Sequence, residues 1–99
     1  MNNKDKNIKP STLYDALLTL KTQEECSAFF DDLCTIGEIN AMAQRMEVAI
    51  MLSENMVYNE IMAKTGASSA TISRVAKCLN HGKGGYTNVL ERMTKEQNG

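Results

Sequence analysis

The chain has 99 residues, 42% of them apolar, with 11 Lys and Arg against 12 Asp and Glu, for a formal net charge of -1. That length suits one domain spanning 1–99, and the apolar share argues against a disordered chain, a collagen or a large multidomain enzyme. No run of about 18 apolar residues exists to cross a bilayer. The opening MNNKDKNIKPS is polar and charged, so no secretory signal is expected. Three cysteines without regular spacing make no disulfide framework, and reduced thiols in a cytoplasm are the expected state. A chain this short buries little surface by itself, so a core shared between two copies is expected from the start.

Taken in order, residues 1–10 are expected to be flexible, and Pro10 stands where a first helix can begin. Leu13, Ala16, Leu17 and Leu20 follow at helical spacing. Thr22 and Glu25 make a T-x-x-E capping box ahead of Cys26, Phe29, Phe30 and Leu33, one face of a second helix. A second box, Thr35 and Glu38, opens a third helix with a stripe of Ile39, Met42, Ala43, Met46 and Ile50 that runs to Leu52. Ser53-Glu54-Asn55 closes it, with Asn suited to the C-terminal turn. A short helix is predicted from Tyr58 to Thr65 and another from Ser69 to Asn80, with Ser68 as cap. Gly82-Lys83-Gly84-Gly85 reads as a loop and Tyr86 to Met93 as a last short helix, with a flexible tail over 94–99. No alternating pattern predicts a strand, so the fold class is all-α with about six helices.

The small net charge hides an asymmetry. Residues 1–40 hold four Lys and seven acids, for -3, while residues 41–99 hold seven Lys and Arg and five acids, for +2. Residues 61–90 contain Lys64, Arg74, Lys77 and Lys83 and no acid at all. Such a local field attracts an anionic backbone. Within it, residues 58–80 have the grammar of a helix-turn-helix. Gly66 can adopt the positive φ that a sharp turn needs. Ile61 and Ala67 are expected to face inward at the turn, and Ile72, Val75, Ala76 and Leu79 to form the buried stripe of the second helix. Its other face is small and polar: Ser69, Ala70, Thr71, Ser73, Arg74 and Lys77, with the Ser68 cap at its start. Small residues let a helix approach base edges in a major groove, and hydroxyls and the helix N-terminus reach phosphates. Arg74 suits guanine or phosphate, and Lys77 suits phosphate.

Three stretches carry a family resemblance: Phe29–Thr35 (FFDDLCT), Ala43–Ala49 (AQRMEVA) and Thr65–Val75 (TGASSATISRV). Residues 38–80 resemble the Trp repressor family, and over roughly 12–92 the chain is similar to its Trp-repressor-like YerC/YecD branch. The resemblance implies a six-helix, intertwined homodimer and a DNA-reading helix presented twice, about one turn of DNA apart; the family is itself a type example of that docking. It places DNA-contact positions at Tyr58, Asn59 and Met62, where a hydroxyl for phosphate and an amide for adenine remain. It also places the effector pocket at Gln44, Arg74 and Cys78. Gln44 stands where the family has an arginine, and the neighbouring Arg45 is expected to point elsewhere, since one residue turns a helix by about 100°. Val75 stands where the family has a glycine and is expected to narrow a slot for an indole. Tryptophan is therefore not expected as co-repressor, and no cofactor is predicted. Val57 replaces a capping serine, which leaves the short helix less firmly anchored.

Other constellations are weaker. Cys78-x-x-His81, even with Cys26 and Cys34, lacks a C-x-x-C pair, so no metal site is predicted. Basic neighbours make Cys78 the better placed thiol for a redox role. Asp31 and Asp32 are adjacent on a helix and do not face one another. The methionines suit a core or a dimer seam. No catalytic cluster predicts an enzyme. The expectation is a homodimeric regulator of transcription that binds double-stranded DNA. The alternative is a protein-interaction module on the same scaffold that has lost DNA binding.

Overall fold

The computed structural model describes residues 7–98, and within them six helices follow one another. They are α1 (Pro10–Leu17), α2 (Gln23–Leu33), α3 (Ile36–Ser53), α4 (Tyr58–Thr65), α5 (Ser69–His81) and α6 (Gly85–Asn98). The described residues thus form the all-α, six-helix fold that the hydrophobic spacing predicts. Chain contacts divide the molecule into two units, one ending at Ile36 and the other beginning at Gly37.

In the first unit, Pro10 opens α1 at a position where its missing N–H costs nothing. The flexible start expected over 1–10 falls largely on residues outside the described ones, and Pro10 itself is helical. The α1 helix ends where the Thr19 hydroxyl donates to the Ala16 carbonyl at 2.7 Å. The Thr22 side chain caps α2 by accepting from the Glu25 N–H at 3.1 Å. Glu25 differs from the usual box: it accepts from the N–H of Lys21, one residue before the cap, at 2.9 Å. Neither helix of this unit contains a buried residue. Ala16, Leu17, Leu20, Cys26, Phe29 and Phe30 are half-buried, while Leu18 is 83% exposed and Leu33 50%. Phe29 and Phe30 meet edge to face with ring centroids 5.9 Å apart.

The second unit contains all six buried apolar residues: Val48 and Ala49 of α3, Ile61 of α4, Ala67 of the turn, and Ile72 and Val75 of α5. Met51, Leu52, Met56, Leu79, Tyr86 and Leu90 pack around them. The stripe read along α3 is not its most buried face. Ile39, Met46 and Ile50 are half-buried and Met42 and Ala43 exposed, whereas Val48 and Ala49 are sealed. Apolar residues surround this part of α3, so spacing by itself does not select the face that α4 and α5 cover.

Each junction in the second unit has a local cause. The α3 helix ends in a Schellman motif: Asn55 takes φ 63°, its N–H donates to Leu52, and the Met56 N–H donates to Met51. Val57 offers α4 no side-chain cap. Gly66 ends α4 at φ 73°, and its N–H donates to the Met62 carbonyl at 2.9 Å. A Cβ at Gly66 would meet nothing within 4 Å, so backbone conformation alone selects glycine there. Gly82 is the opposite case: a Cβ there would overlap the Cys78 carbonyl. The last helix is longer than the spacing of Tyr86–Met93 predicts and runs to Asn98, so most of the 94–99 tail is helical.

Candidate nucleic-acid interface

The α4–turn–α5 segment is built around a small network centred on Thr65. Its hydroxyl donates to the Ile61 carbonyl at 2.7 Å and accepts from the Ala67 N–H at 3.1 Å. Its carbonyl accepts from the Gln44 side-chain amide on α3 at 3.2 Å. One residue beyond Ala67, the Ser68 hydroxyl caps α5 by accepting from the Thr71 N–H at 3.1 Å and itself donates to the Thr71 hydroxyl. These bonds fix the passage of the chain from the end of α4 to the first turn of α5.

On α5, burial separates the two faces cleanly. Ile72 and Val75 are sealed in the core. Ser69, Ala70, Ser73, Arg74 and Lys77 are exposed, and Thr71 is half-buried beside the cap. Ser68 is exposed as well as capping. The outward face combines two hydroxyls, one methyl, a guanidinium and an ammonium, and no acid lies anywhere in residues 61–90. On α4, Tyr58 and Asn59 are exposed, and Met62 is 37% exposed. This surface can donate hydrogen bonds to phosphate and to base edges, and its small residues permit close approach.

The positions read as an effector pocket separate into two places. Gln44 and Arg74 line one cleft of about 370 Å³, together with Ala41, Arg45 and Thr71. Cys78 lines a different groove, with Met46, Lys83, Tyr86 and Val89. Two details depart from the sequence reading. Arg45 does not point elsewhere but shares the cleft with Arg74, because Ala41 and Arg45 are one helical turn apart and a guanidinium has a long reach. Val75 is not among the residues lining the cleft; its side chain is 1% exposed and belongs to the core. Among the described residues, Cys26 and Cys34 are half-buried and Cys78 exposed, all three as free thiols, and no helix is long and apolar enough to cross a membrane.

The same architecture recurs in known proteins. The family model for the Trp repressor protein matches residues 9–94. The uncharacterized protein YerC of Bacillus subtilis (strain 168) is 53% identical over 85 residues, which are 86% of this chain and 82% of that protein. The crystal structure of a TrpR like protein from Eubacterium eligens ATCC 27750 superposes with a TM-score of 0.85 at 50% identity, over 94% of this chain and 96% of that one. A second crystal structure, of a Staphylococcus aureus protein, gives a TM-score of 0.83 at 44% identity, over 95% and 96% of the two chains. With its six helices in this order and a match over nearly its whole length, the chain belongs to the Trp repressor family.

Proposed function

We propose that this protein is a sequence-specific DNA-binding regulator of transcription, acting in the cytoplasm as a homodimer. It reads the major groove with α5 and represses by occluding a promoter. The observation that carries this reading is the division of α5. Ile72 and Val75 anchor the helix, while Ser69, Ala70, Ser73, Arg74 and Lys77 stand free on the opposite side. A helix held by one face and polar on the other is what groove entry requires. Arg74 pairs with guanine or phosphate and Lys77 with phosphate. Tyr58 and Asn59 add contacts from α4, and Ser68 and Thr71 present the N-terminal end of α5. The all-basic charge of residues 61–90 supplies the attraction to the duplex.

Dimerisation is supported by what one chain leaves uncovered. Ile8, Leu13, Tyr14, Leu18, Leu33 and Ile36 are each 40% or more exposed. A second copy gives these side chains a place out of water and presents α5 twice, about 34 Å apart. Tryptophan does not serve as co-repressor in this reading. One N–H of the Gln44 amide is already bonded to the Thr65 carbonyl, and no guanidinium stands at that position.

Selection from a pool of random duplexes on the purified protein tests the proposal. An enriched palindrome is expected, with affinity falling steeply as salt rises. Arg74→Ala is expected to lose about 1–3 kcal/mol of specific binding. No enrichment, or a footprint unchanged by Arg74→Ala, would reject the assignment and favour a protein-interaction module. Calorimetric titration with L-tryptophan is expected to show no saturable binding in the micromolar range.

A further inference from the structure

Gln44 lies in the middle of α3, outside the helix-turn-helix, yet its amide is tied to the last residue of α4. The bond spans 21 positions, whereas the hydroxyls of Thr19, Ser53, Ser68 and Thr94 bond within four positions of themselves. Its acceptor is the Thr65 carbonyl, one of those that a helix end leaves without an intrahelical donor. Thr65 also orders the turn beyond it through the Ala67 N–H, and Ser68 follows directly as the cap of α5. A chain of three links therefore runs from α3 to the first turn of α5. Gln44 also walls the cleft that Thr71 and Arg74 of α5 line. It stands next to α5 with one N–H of its amide spent on the Thr65 carbonyl.

We propose that Gln44 is a positioning residue that sets the angle of α5: its amide clamps the end of α4 to α3 and so holds the reading helix ready before any ligand arrives. The apolar core anchors Ile72 and Val75 but resists small rotations about that anchor weakly, because dispersion contacts carry no direction. A hydrogen bond to the turn does carry direction. Removing it loosens the turn more than it lowers the stability of the whole molecule. Specific binding, which needs base edges in register, suffers more than non-specific attraction to phosphate. This role presupposes the DNA reading proposed above.

The test compares the full-length protein with Gln44→Met, which keeps the length of the side chain and removes the donor. Amide hydrogen exchange in the free protein is expected to quicken about five- to tenfold at Gly66, Ala67, Thr71 and Ile72, the loss of about one hydrogen bond. Exchange in the first half of α3 and in α6 is expected to stay as it was. Affinity for the selected duplex is expected to fall by the same factor, with affinity for random duplex and the salt slope unchanged. Gln44→Lys returns an N–H donor on a slightly longer stem and is expected to restore the exchange protection, a rescue that mere packing would not give. Where Gln44→Met fails to fold, Gln44→Leu carries the same readouts, since it is similar in size, uncharged and has no donor. Unaltered exchange at the turn overturns the clamp. Altered exchange with full preference for the selected duplex overturns its positioning role. A wild-type protein that selects no duplex fails the DNA reading instead, so the two failures are distinct.

Discussion

The two units of this chain treat their apolar residues in opposite ways. From Gly37 onward, six side chains are buried in a core that α3, α4 and α5 build together. From Asn7 to Ile36, two helices, of which only α2 has a side-chain cap at its start, hold no buried residue, and Leu18 and Ile36 are 83% and 75% exposed. The second unit thus holds a buried core, while the first has correct helical spacing and none. Capping and periodicity make helices, but burial needs a partner surface. The helix proposed to read DNA, α5, sits in the unit with the buried core. The first unit is where the proposed second chain would find apolar surface to cover.

The largest expected effect falls in the finished core. Ile72→Ala removes a fully buried side chain and is expected to cost about 2–5 kcal/mol in urea unfolding. The same truncation at the half-exposed Leu33 is expected to cost less than half as much in the single chain and to show itself mainly in association. Sedimentation across a dilution series checks this, with the variant dissociating at higher concentration than wild type. Equal unfolding costs at the two positions, with unchanged association, would erase the contrast between the units. Next is Gly82→Ala, expected to cost about 1–3 kcal/mol because its Cβ runs into the Cys78 carbonyl backbone. Gly66→Ala is expected to cost about 1 kcal/mol, since only the left-handed backbone opposes it. A cost at Gly66 larger than that at Gly82 would mean that the turn is more crowded than its geometry shows. The smallest effect concerns a cap: Ser68→Ala is expected to lose about 1 kcal/mol from the start of α5. Both chevron and equilibrium unfolding measure it.

Much of this was legible in the residue order. Thr22 and Ser68 are caps because a hydroxyl before a helix finds an orphan N–H there, a rule that acts within four residues. Gly66 and Asn55 turn the chain because few residues tolerate positive φ. The inward set Ile61, Ala67, Ile72 and Val75 follows from spacing within a short segment. What spacing missed is long-range. Val48 and Ala49 were hidden in an α3 that is apolar on several sides. Spacing ends α6 five residues short, because Thr94–Asn98 is polar and a polar run has no period to follow. The meeting of Arg45 with Arg74 in one cleft depends on where two helices lie, which no local pattern encodes.

The order of residues by itself determined the six helices, most of their ends and the polar face of α5, since backbone hydrogen bonding, capping and φ preference act over a few neighbours. Only the tertiary structure decided which face of α3 is sealed, that Gln44 bonds to Thr65 across 21 positions, and that Cys78 lines a different groove from the cleft lined by Gln44 and Arg74. Packing chooses among faces that are equally apolar, and that choice depends on surfaces far apart in the chain.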